Sequence, residues 1–361
     1  MLAIELARLT NWGVLPLADA TLLFEEPELN EVMRWAHTLP LAEQTELLQA
    51  LPDRLPGLDP LKASGVLVLA GGLVENGADP DAVAPAGMEH LARLRELFDQ
   101  GEALPEEAWR YAVIGLMTML CRSAVARAQW RAQAELVEWL QANEEVSGHF
   151  FYLLRAAEMS DEDKLLILFP AYETGLEIAI SQVNNGFQLL TLVQPLVREQ
   201  AAALHLRRPP APTDPTLLRY IQGDPELPET DGDVAGLNWL NALAYQGGPL
   251  DLLQLVWGEA PVWALPRVQG VVVLLATDDE HRLQRSWDLG FLSPVHGANC
   301  PTVHLNRLLP SAEVRAVLAE IHAPVVATPS AVAPVAAVLG PPGSPAPALP
   351  ARSWWQRLLG R

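Results

Sequence analysis

Apolar residues recur at three- and four-residue intervals through about the first 145 positions. Beyond that they gather in short, dense runs. In "LAEQTELLQAL" (41–51) the spacing predicts an amphipathic helix. "DPLKASGVLVLAGGLVENG" (59–77) is apolar on almost every side. Asp59 with Pro60 behind it is a good N-cap and first-turn pair, and Gly77 is a stop signal, so a helix central to a bundle is predicted. "PDAVAPAGMEHLARLRELFDQG" follows as a helix ending at Gly101. "PEEAWRYAVIGLMTMLCRS" carries Pro105, Glu106 and Glu107 in its first turn, where acidic groups suit the positive end of the helix dipole. "AVARAQWRAQAELVEWLQAN" reads as one further helix.

Near Ser147 the period changes. "KLLILFPAY" (164–172) and "GLEIAISQV" (175–183), separated by a tight turn, predict two strands. "NNGFQLLTLVQPLVREQAAALHL" (184–206) reads as a helix capped by Asn185, with Pro195 threatening a kink, and "RRPPAPTDP" as a connector. "VQGVVVLLAT" (268–277) predicts a buried strand, "CPTVHLNRLL" (300–309) another, and "SAEVRAVLAEIH" (311–322) a capped helix. The fold class predicted is α+β: a helical region over 1–146, then an α+β domain over 147–322 with a small mixed sheet and helices.

From Ala323 to Ala351 there is no charge and proline recurs throughout. This predicts a disordered, semi-stiff linker of about 3.1 Å per residue where it is polyproline-like. The last ten residues, "RSWWQRLLGR" (352–361), break that pattern. Trp354 with Leu358, and Trp355 with Leu359, are i, i+4 pairs, while Gln356 and Arg357 fall on the other side. So short a segment cannot hold a helix alone, because nucleation is costly; it would order on contact. Three readings follow: a helix-in-groove docking peptide for a protein partner, a weak and reversible interfacial membrane contact, or an end that is idle or folds back on the acidic body.

Composition narrows the partners. The net charge of −20 and pI of about 4.7 repel phosphate backbones, so no nucleic-acid partner is expected of the body. Two cysteines, Cys121 and Cys300, do not make a disulfide framework and fit a reducing compartment. "MLAIELARLTNWGVLPLADA" lacks the basic-then-apolar plan of a signal peptide, and no segment reaches eighteen uninterrupted apolar residues; a cytoplasmic protein is expected.

The block "HFFYLLRAAEMSDEDKLLILFPAYETGLEIAISQVNNGFQLLTLV", with "LNWLNA", "WGEAPVWALP" and "RSWDLGF" after it and "LDPLKASGVLVLAGGLVENGADPD" and "LCRS" before it, resembles a family of uncharacterised bacterial proteins. Those proteins carry an NFQLHTLL segment where this chain has NGFQLLTL. The resemblance covers most of residues 58–309 and implies no activity, cofactor or catalytic residue. Phe169 and Leu190 stand where that family commonly has histidines, so any chemistry those histidines perform is lost here.

Candidate chemistry is sparse. Cys300 and His304 are four apart but lack two further ligands, so no metal site is expected. Asp278, Asp279, Glu280 and His281 follow a predicted strand, and His149 precedes an aromatic run; these residues carry the alternative of a hydrolase-like enzyme. Trp239, Trp257, Trp263 and Trp287 fall within fifty residues and suggest either a ligand groove or core packing. "VENGADPD" resembles the end of an ankyrin repeat but occurs once, and reads as a helix stop and turn. No catalytic signature or cofactor motif is present, so the reading favoured is a cytoplasmic adaptor of a bacterial multi-protein system. Its partner-binding residues are Trp354, Trp355, Arg357, Leu358 and Leu359.

Overall fold

A computed structural model of the chain describes residues 2–14, 16–17, 19–224, 234–238, 242–244, 261–265, 267–276, 283–287 and 298–322. Nine helices occupy its first part: α1 (Leu2–Gly13), α2 (Pro27–His37), α3 (Leu41–Ala50), α4 (Pro60–Glu75), α5 (Ala84–Asp99), α6 (Glu106–Arg122), α7 (Ala124–Arg131), α8 (Ala134–Ala142) and α9 (Phe150–Ala157). Helix α4 starts as predicted, with the Asp59 carboxylate accepting from the Leu61 and Lys62 amides. Every residue from Leu61 to Val74 is buried, which makes α4 the axis of the bundle. It packs most closely on α6, and a glycine allows this: a Cβ on Gly115 would sit 2.3 Å from the Leu67 carbonyl oxygen. Trp109 of α6 stacks on Trp139 of α8 at 5.6 Å, with Phe98 of α5 and Phe150 of α9 set edge-on. Helix α9 thus packs in the helical core although it lies beyond Ser147, and that core extends to Met159.

One predicted helix is two. The run after Ser123 breaks at Ala132–Gln133 into α7 and α8. Trp130 and Leu136 are both buried, yet six residues at about 100° each leave them some 120° out of phase on a continuous helix. The break turns both stripes inward.

The second part holds β1 (Ser160–Phe169), β2 (Thr174–Val183), α10 (Gly186–Glu199), α11 (Pro215–Ile221), β3 (Val234–Asn238), β4 (Ala242–Ala244), β5 (Arg267–Val268), β6 (Val271–Ala276), β7 (Leu283–Trp287), β8 (Thr302–Leu309) and α12 (Ser311–His322). The main sheet runs β4-β6-β1-β2-β8, with β5 also on β6; β1 and β6 are parallel and the other pairs antiparallel. β3 and β7 form a separate antiparallel pair. Leu165, Ile167, Leu176, Ile178, Val272 and Leu274 face α10 and α11, while Leu166, Leu168, Val273 and Leu275 face α12. Burial on both faces explains why "LLILF" and "VVVLLA" lack alternation. The fold is α+β, a helical body joined to a small mixed sheet with helices.

Three boundaries differ from the sequence reading. The predicted strand at 268–277 is a hairpin: Gln269 (φ 49°) and Gly270 (φ 81°) form the two-residue turn between β5 and β6. Helix α10, capped by Asn185, keeps Pro195 inside it but stops at Glu199 rather than 206. The chain there turns through His205 (φ 56°) to bring Leu204 under the sheet. β1 begins at Ser160, four residues before the predicted start at Lys164, and Asp161 within it is tied to the helical body. No single helix among the described residues is long and apolar enough to cross a membrane.

Candidate functional site

The densest chemistry lies where the helices meet the sheet. Ser123 caps α7, accepting from the Ala126 amide, and so fixes the helix that carries Arg127. The Arg127 side chain is 1% exposed and its guanidinium grips Asp161, with Nε 2.9 Å from Oδ2 and Nη2 2.5 Å from Oδ1. Its Nη1 donates to the Leu120 carbonyl at 2.5 Å. Asp161 Oδ1 also accepts from Ser181 Oγ at 2.9 Å and from the Gln182 amide at 3.0 Å. A carboxylate has about four acceptor sites, and Asp161 fills them with protein donors. Next to it Arg131 donates to the Ala157 and Met159 carbonyls, so α7 clamps the chain entering β1.

The network continues across the sheet end. Gln182, held at φ 60°, accepts on its carbonyl from Asn299 Nδ2 at 2.7 Å and on its Oε1 from the Cys300 amide at 3.1 Å. Asn299 Oδ1 accepts from Gln188 Nε2 at 2.9 Å, and Gln188 Oε1 accepts from the Asn184 amide at 2.7 Å. Gly223, two residues past the end of α11, closes the site: its φ is +80° and a Cβ there would lie 1.9 Å from the Asn299 carbonyl oxygen. Gln188 and Asn299 are buried and bonded to each other, an arrangement that fixes a unique geometry.

A second pair is Ser64 Oγ and His90 Nε2, 2.9 Å apart between α4 and α5. Burial, with Arg93 nearby, lowers the His90 pKa to about 3. This imidazole is neutral at physiological pH and too weak a base to activate a hydroxyl. Cys121 is fully buried, and desolvation pushes its thiol up to about 12, as befits a small core residue.

The residues singled out by sequence are placed elsewhere. Trp354, Trp355, Arg357, Leu358 and Leu359 lie outside the described residues, as do Trp239, Trp257, Asp278, Asp279, Glu280 and His281. Trp287 is the last residue of β7, opposite Val234. Trp263, on a 3-10 turn, is 51% exposed, so its ring is at the surface and not in the core. His149 is half-buried before α9, its pKa lowered by desolvation and by Arg110. Cys300 is half-buried and His304 exposed on β8, and among the described residues no group of His, Cys, Asp or Glu is arranged to hold a metal.

A shallow, open depression of about 500 Å³ on α1 and α2 is lined by Ile4, Ala7, Arg8, Asn11, Trp12 and Glu28. Exposed apolar residues stand near it in sequence: Ile4 (67%), Val14 (57%) and Leu22 (42%). Neither this depression nor the Arg127–Asp161 network was marked by the sequence reading. Apart from the local Arg127–Leu120 and Asn184–Gln188 bonds, the network's partners are 20 to 118 residues apart in sequence. The local signal was Asn185 followed by Gln188, a capping pattern. No protein-family model, curated protein or solved structure matches this chain.

Proposed function

We propose that the chain is a non-enzymatic interaction protein, an adaptor that recruits a protein partner through Trp354, Trp355, Arg357, Leu358 and Leu359. One observation carries the reading. After 29 uncharged residues (323–351) the chain ends in a segment with two tryptophans, two leucines and three arginines, and Trp and Arg are the residues that dominate interface hot spots. The body's own polar groups support it. Asp161, Gln188, Asn299, Ser64 and His90 are bonded to one another or to backbone, and their donors and acceptors serve the join between elements. In this reading the body is the carrier, and residues 323–351 separate it in sequence from the segment it bears.

The test is quantitative capture from native lysate with three baits: the full chain, the chain truncated after Ala351, and the Trp354→Ala/Trp355→Ala variant. A partner retained by the first and lost by the other two is the expected result. A partner held equally by all three overturns the assignment to this segment. Flotation of the full chain with anionic vesicles that disappears on truncation, with no protein captured, replaces it with membrane docking.

A further inference from the structure

We draw no further inference here: the strongest candidate, the sheet edge formed by β8 (Thr302–Leu309), which pairs with β2 on one side and with no other strand among the described residues, carries nothing because nothing in the structure shows what covers it.

Discussion

Asp161 is the residue on which the join between helices and sheet turns. It accepts from Arg127, Ser181 and the Gln182 amide while Arg127 is 1% exposed, so removing the carboxylate strands a buried cation. Asp161→Ala is expected to cost about 3–5 kcal/mol in urea unfolding, whereas Arg127→Met combined with Asp161→Leu recovers most of it, because no charge is then left unpaired. Additive losses in the double variant would contradict the pairing. His90 makes a prediction of a different kind. Its folded pKa is lowered from 6.5 to about 3, so the unfolded chain takes up a proton near pH 6.5 that the folded chain refuses. The stability this group provides is whole above pH 6.5 and is lost as pH falls toward 3, with a slope of up to about 1.4 kcal/mol per pH unit. His37 and His149, also lowered by burial, act in the same direction. In His90→Asn the stability lost between pH 6 and pH 5 should shrink by about 1 kcal/mol; an unchanged slope would refute the burial of a neutral imidazole.

At the scale of elements the main test is the α4–α6 contact. Gly115→Ala improves intrinsic helix propensity by about 1 kcal/mol, yet its Cβ would meet the Leu67 carbonyl at 2.3 Å. A net destabilisation of about 1–3 kcal/mol in thermal or urea unfolding is expected, against a near-neutral Gly57→Ala, where nothing lies within 4 Å. Equal effects would mean the helices are not in close contact. Much of this level was legible in sequence where local chemistry sets a boundary. Asp59–Pro60 opened α4, Asn185 opened α10, and the turn near Glu173 separated β1 from β2. The α7–α8 break was not legible, because it arises from the need to bury Trp130 and Leu136 together, a tertiary demand. The β5–β6 hairpin hid because Gln269 adopts a left-handed backbone usually left to Asn or Gly. The Arg127–Asp161 network was hidden for the same reason as the break: its partners meet only once the fold is made.

For the whole molecule the governing fact is an uneven distribution of charge and apolar surface. The chain is −20 overall, yet its last ten residues are cationic and aromatic. Among the described residues the network at the join engages its polar groups with one another and with backbone. Such a division fits the proposal of a body that carries a short binding segment. The most direct measurement is therefore one of sufficiency: residues 352–361 fused to an unrelated carrier, with partner capture compared between that fusion and the native full chain. The account predicts that the fusion recovers the same partner and that Trp354→Ala/Trp355→Ala within the fusion abolishes it. Recovery of that partner by the body truncated after Ala351, and not by the fusion, would contradict it.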